Sequence, residues 1–212
     1  MQRIGILGCG RVSRRYLEVC RDELKDATVT VVCDLKHELA QSIAAELNAE
    51  ATYSLESLLQ KDNVDVIVIL TESGKHGTHA RQILEAGKHV IVEKPAAMLP
   101  DEVLMNEQLA AEKELMYAVI HQNRLNPALQ VLKKHYDSGR FGKIVLATIR
   151  LRWCRYQEYY NDGWHGTWAM DGGVLNQQAI HHLDALEWIC GPIDRVVAAQ
   201  SNALNQLEAE DT

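Results

Sequence analysis

No long apolar run, no CxxC pair and no cluster of basic residues occurs in these 212 residues, and each absence closes off a class of function. Without an apolar stretch of bilayer length, no membrane-spanning helix is expected. Met1 leads directly into a strand and leaves no signal peptide, so the protein reads as cytoplasmic. The five cysteines (Cys9, Cys20, Cys33, Cys154 and Cys190) are odd in number and widely spaced. That argues against a disulfide framework and against zinc; they read as reduced thiols packed as small hydrophobes, and no metal is expected. A net charge of −7 without a basic run argues against nucleic acid as a partner. An anionic substrate would need local Arg or Lys instead of a global positive field. Internal repeats and low-complexity linkers are also missing.

What is present has a clear rhythm. Hydrophobic residues make up 47% and charged residues 24%, ordinary for a globular protein long enough to bury a core unaided. Short apolar runs at residues 3–7, 29–33, 51–53, 64–70, 89–92 and 116–120 read as strands. Between them lie helical periodicities: Val12, Tyr16, Cys20 and Leu24; Leu39, Ile43 and Leu47; a helix capped by Ser54; one over 79–86; and one opened by Pro100. Six strands alternating with helices predict an α/β Rossmann domain, a doubly wound parallel sheet, over residues 1–120. Residues 121–212 predict an α+β domain with an open antiparallel sheet. It has a helix over 127–136, strands over 144–153 and 193–199, a loop over 156–168, and a helix marked by Leu183, Leu186 and Ile189. Two strands make a poor sheet, and the sequence stops in an acidic stretch at 208–212, so this second domain is expected to be truncated.

Gly8-Cys9-Gly10-Arg11-Val12-Ser13 follows the first strand and opens a helix. Gly8 permits the tight turn, Gly10 lets backbone approach a pyrophosphate, and the helix start at Arg11 and Val12 offers N–H groups and partial positive charge. Ser13 takes the third small position. Asp34 ends the second strand, at the spacing expected for an acid that accepts from the cofactor ribose hydroxyls and repels a 2′-phosphate. NAD is therefore favoured; Lys36 nearby keeps NADP open, and Asp34 also reads as a solvated strand-end acid. Lys94, beyond the fifth strand and before Pro95, stands at the sheet edge where ligands bind. It suits either a substrate hydroxyl, with a pKa lowered for proton transfer, or a solvated surface position.

The run Ala86-Gly87-Lys88-His89-Val90-Ile91-Val92-Glu93-Lys94-Pro95 resembles the signature of the Gfo/Idh/MocA oxidoreductase family (glucose-fructose oxidoreductase, inositol dehydrogenase, rhizopine catabolism). Four other stretches match in order: Gly8-Cys9-Gly10, Thr71 to His76, Gln122-Asn123-Arg124-Leu125-Asn126-Pro127, and Gly172-Gly173-Val174-Leu175 through His181 and Asp184. The resemblance implies Lys94 and His181 as the catalytic pair, the lysine gripping hydroxyl and cofactor ribose, the histidine acting as general acid/base. It also implies cofactor contacts at Thr71, His76, Glu93 and Asn123, and substrate contacts at Arg124 and Gln177. Two positions depart from the pattern. Gln177 stands where relatives often carry an acid, so it can orient a hydroxyl but not take its proton, and Glu72 stands where relatives commonly carry proline.

Residues 159–168 are rich in aromatics. Tyr160 and Trp164 are candidates to pack on sugar or uracil rings, with Arg150, Arg152 and Arg155 available to phosphate or carboxylate; a solvated strand face and ordinary loop packing is the alternative reading. The Trp164-His165-Gly166-Thr167-Trp168 pattern followed by Asp171-Gly172-Gly173 is similar to family branches that oxidise a nucleotide sugar such as UDP-N-acetylglucosaminuronate. The resemblance thus implies an NAD-dependent dehydrogenase of a sugar or nucleotide sugar. A free-sugar or inositol dehydrogenase and a non-catalytic NAD- and ligand-binding regulator are the alternatives. An open sheet face predicts a homodimer or homotetramer.

Overall fold

The computed structural model describes all residues, 1–212, as two compact units, Met1–Ile120 and His121–Thr212. The first is one six-stranded sheet. Strands β1 (Gln2–Leu7), β2 (Ala27–Cys33), β3 (Glu50–Thr52), β4 (Val66–Ile69), β5 (His89–Val92) and β6 (Tyr117–Val119) lie in the order β3-β2-β1-β4-β5-β6. Every pairing is parallel. This is the doubly wound dinucleotide-binding order, which reverses between β1 and β4. Helices α1 (Ser13–Asp22), α2 (His37–Leu47), α3 (Leu55–Leu59), α4 (His76–Glu85) and α5 (Pro100–Glu112) connect the strands.

Both faces of the sheet are covered, which is why β4 reads as Val-Ile-Val-Ile with every residue buried. Ile67 and Ile69 pack with Leu58, Ile83, Leu84, Val90 and Val92. Val68 packs on the other side with Ile6, Leu17, Val29, Val32 and Ile43. One irregularity makes this double core possible in β2. Ile4 pairs with Val29 but Gly5 pairs with Val31, so Thr30 is an extra, bulged residue. Its hydroxyl donates to Asn63 O at 2.6 Å. The bulge resets the alternation, so that Val29 and Val31, two apart, enter opposite cores.

Local signals start α3 and the first helix of the second unit where expected, whereas α4 begins at His76, three residues before the expected 79. The Ser54 hydroxyl accepts from Ser57 N–H at 3.1 Å at the head of α3. In the second unit Asn126 caps α6 (Pro127–Asp137), accepting from Ala128 N–H at 3.0 Å, with proline at the position that needs no donor. A short helix α7 (Gln157–Tyr160) interrupts the expected loop. A π-turn (Leu175–Ala179) then runs into α8 (Ile180–Cys190).

The second unit corrects one expectation: it contains no strand, and residues 144–153 and 193–199 carry no ladder. Alternation announces a face, but a strand exists only against a neighbour about 4.8 Å away, and nothing in this unit pairs with either segment. Their aliphatic side chains stay outside, Val145 at 90% and Val197 at 93% exposure. No antiparallel sheet forms, and the unit is helices and loops.

Because Ile67 is fully buried in the central strand, Ile67→Ala is expected to cost about 2–5 kcal/mol in urea unfolding of the first unit. An exposed change such as Val131→Ala in α6 is expected to stay within about 1 kcal/mol.

Candidate functional site

The turn after β1 is shaped by a position that admits no side chain. Gly8 has φ +101°, and a Cβ there would come within 2.7 Å of the Leu70 carbonyl carbon and 2.9 Å of Thr71 N. Both are backbone atoms that cannot swing aside. At exposed Gly10 the opposite holds: nothing lies within 4 Å of where a Cβ would stand. Ser13, buried at the head of α1, donates its hydroxyl to Gly10 O at 2.6 Å and so tightens the turn that leads to Arg11 and Val12, both exposed.

Asp34 joins this turn. One carboxylate oxygen accepts from Cys9 N–H and the other from Lys36 N–H, both at 2.7 Å. It is therefore not a freely solvated strand-end acid. Each oxygen keeps a second lone pair for a hydroxyl donor. Gly8, Gly10 and Asp34 thus present an open backbone face beside a fixed carboxylate, and these residues fit a dinucleotide pyrophosphate and its ribose. Burial, with the Asp34 charge adding to it, pushes the neighbouring Cys9 thiol up to about 12, so it stays an unreactive SH.

Around Lys94 the chain is tied from three directions. Glu93 accepts from Tyr16 OH of α1 at 2.7 Å through one oxygen, and from Lys94 N–H at 3.1 Å through the other. Burial and the Glu93 charge raise the Tyr16 phenol, which keeps it a donor. His76 is 2% exposed. Its Nδ1 lies 2.7 Å from Pro95 O and its Nε2 2.9 Å from Thr71 O. Expected as a cofactor contact, the His76 ring instead sits between two carbonyls. Burial lowers its pKa and favours the neutral ring, which donates its one N–H to one of them and packs against the other, between the loop after β4 and the turn after β5. Thr71 presents its hydroxyl to His79 Nδ1 at 3.1 Å. Burial first, then the Lys75 charge, lowers His79 to about 4.

In the second unit, Asn123 is half-buried on a 3₁₀ turn (Gln122–Leu125). Arg124 next to it is not an open substrate ligand. Its guanidinium forks onto Asp184 of α8, Nε at 2.9 Å and Nη2 at 2.6 Å, and Asp184 is only 9% exposed. His121 Nδ1 lies 3.4 Å from the same carboxylate. The pair fastens the 3₁₀ turn to the helix that carries His181, which is itself buried. Gln177 lies on the π-turn, and its amide beside the buried Asp171 carboxylate partly offsets the upward push that burial gives that acid.

The aromatic segment does come together. Tyr159 and Tyr160 meet edge to face with centroids 5.0 Å apart, and the Trp164 and His165 rings are 3.6 Å apart. His165 Nδ1 is 2.5 Å from Asp162, and the Arg155 guanidinium stands 5.4 Å from the Tyr159 ring. Arg150 and Arg152 are exposed. Sequence reasoning missed Tyr16, Asp184 and His79 as partners. Tyr16 sits on an apolar helical row, where only its hydroxyl hints at a polar task, and the other two act across distances that periodicity does not encode.

Residues 2–121 match the family described as oxidoreductase family, NAD-binding Rossmann fold, and residues 129–212 match its C-terminal domain. Among solved structures, the WlbA dehydrogenase from Bordetella pertussis in complex with NADH and UDP-GlcNAcA is 36% identical. Its TM-score is 0.96 over 99% of this chain and 61% of that one. Among curated proteins, D-glucoside 3-dehydrogenase of Escherichia coli is 30% identical over 94% of this chain and 57% of its own length. An inositol 2-dehydrogenase/D-chiro-inositol 3-dehydrogenase of Halalkalibacterium halodurans is 25% identical over 88% and 52%. The chain thus spans a little over half the length of the curated relatives it matches.

His79 supplies a pH prediction. A histidine whose folded pKa is depressed is neutral in the fold, so its contribution to stability is complete above its unfolded value near 6.5. It is lost as pH falls toward about 4. Stability of the wild type relative to His79→Gln, followed by thermal unfolding, is expected to fall from pH 7 to pH 4.

Proposed function

Taking as premise that the chain belongs to the Gfo/Idh/MocA oxidoreductase family, we propose that the protein is an NAD-dependent dehydrogenase of a ring hydroxyl on a nucleotide sugar, a UDP-uronate foremost. The observation that carries the reading is the anchored turn at Lys94. Lys94 N–H bonds Glu93, Glu93 is held by Tyr16 of α1, and Pro95 O is met by His76 of α4. The residues on both sides of Lys94 are therefore tied, which is the preorganisation a catalytic group needs and a surface lysine does not. Residues 1–120 hold the cofactor and residues 121–212 the substrate.

NAD, when bound, accepts the hydride from the carbon that bears the hydroxyl. Gly8, Gly10, Arg11 and Val12 offer backbone to its pyrophosphate, and Asp34 accepts from the ribose and turns away a 2′-phosphate. By resemblance, Thr71, Glu93 and Asn123 would serve the nicotinamide end of the cofactor. Lys94 holds the reacting hydroxyl, and His181 takes its proton. Gln177, which has no acid function, orients a neighbouring hydroxyl. Tyr160 and Trp164 form the apolar wall against which a sugar or uracil ring packs. The nucleotide-sugar choice is supported by the likeness to WlbA. The likeness to D-glucoside 3-dehydrogenase favours a free sugar as the second reading.

The test is NADH formation by the full-length protein with UDP-uronates, UDP-hexoses, free sugars and inositols. Turnover with a UDP-uronate is expected to fall about 10²–10⁴-fold in Lys94→Ala and in His181→Ala. Turnover only with free sugar or inositol would keep the chemistry and replace the substrate. Silence across the panel while NADH still binds would favour a ligand-binding regulator.

A further inference from the structure

The acidic stretch at residues 208–212 is tied back to the rest of its unit. Glu208 accepts from Trp168 N–H at 3.2 Å, and the N–H groups of Glu208 and Ala209 donate to Gly166 O at 3.1 and 2.8 Å. The Asp211 carboxylate gathers the N–H groups of Ala203, Leu204 and Asn205 at 2.7, 3.0 and 2.7 Å. Between them Glu210 is 4% exposed.

The helical segment that carries Gln177 and His181 begins at Gly173, and the first N–H groups of any helix lack internal partners. Glu210 meets two of them. Its own C=O accepts from Val174 N–H at 3.2 Å, and its carboxylate Oε1 accepts from Leu175 N–H at 3.1 Å. The other oxygen, Oε2, faces Gly173 and meets no donor. A Cβ at Gly173 would overlap that carboxylate, and Gly173 has φ +78°. The acid fits here because the glycine carries no side chain, and its charge lies against the positive end of the segment.

We infer that Glu210 is a positioning residue for His181, its carboxylate seated over Gly173 and fixing the start, and hence the register, of the segment that presents the imidazole. The inference rests on the reading of His181 as the acid/base. His181 stands six positions beyond the anchored Leu175 N–H, across the π-turn, so a loosened start displaces the imidazole without touching it.

The experiment follows the His181 imidazole by NMR titration in the full-length protein, beside kcat and KM. Glu210→Ala is expected to shift or broaden the His181 resonance and to lower kcat up to about 10²-fold, the effect of a misplacement near 1 Å. The KM for NAD is expected to hold. Glu210→Gln, which keeps the accepting oxygen, is expected to restore both signals. Gly173→Ala, which displaces the carboxylate without deleting it, is expected to reproduce Glu210→Ala and serves if that variant does not fold. An unchanged His181 titration in Glu210→Ala, or a Gln variant as impaired as the Ala variant, would overturn the inference. A His181→Ala protein that keeps its activity would instead overturn the acid/base reading, and the NMR signals would still decide Glu210.

Discussion

The close fit of Gly8 against the backbone of Leu70 and Thr71, which leaves no room for a Cβ, is the constraint on which the rest of the first unit's chemistry depends. It occurs where the strand order reverses, so the loops after β1 and β4 depart toward opposite faces and leave a crevice open. From that contact a closed circuit of bonds runs around the sheet edge. Cys9 N–H reaches Asp34, Thr71 O reaches His76, His76 reaches Pro95 O, and Glu93 reaches back to Tyr16 of α1. The links join the ends of β1 and β2, the segments after β4 and β5, and the end of β5 with α1, which lets a dinucleotide meet a surface already in place.

Carboxylates anchored on peptide N–H groups recur through both units. Asp34, Asp171, Glu210 and Asp211 are held this way. A protein with net charge −7 has few cations to spare for its acids, and aligned N–H dipoles do the work without adding a mobile side chain. Some acids are met by arginine instead: Arg3 forks onto Asp65, and Arg124 onto Asp184, pairs in which the planar guanidinium fixes direction as well as charge.

Local chemistry was readable from the residues alone. The turn at Gly8–Gly10, the acid at Asp34, the serine cap at Ser54 and the Asn126-Pro127 helix start each act within a few positions or at a spacing the fold imposes. The alternation at 144–153 misled, because a period of two describes a side-chain pattern and says nothing of a partner strand. The bulge at Thr30 was hidden inside a β-branched run, since Val29, Val31 and Val32 look alike whichever core each enters. Partners brought together by the fold, such as Arg124 with Asp184 or Glu210 with Leu175, are separated by tens of residues and leave no mark at either end. Arg124 and His76 read as ligand contacts in the sequence, and in the structure Arg124 forks onto Asp184 while the His76 ring lies between two backbone carbonyls.

The π-turn at Leu175–Ala179 is best understood as a matter of phase. A helix advances about 100° per residue, and a π-turn carries one residue more than an α-turn. Every side chain beyond it is therefore rotated by roughly that angle relative to the anchored start at Gly173. Losing one residue from the turn would leave composition, charge and helix length almost untouched while swinging the His181 face toward another azimuth. The segment thus encodes an aim as well as a histidine, and a single-residue deletion there would be far harder to accommodate than one in the exposed stretch 192–200.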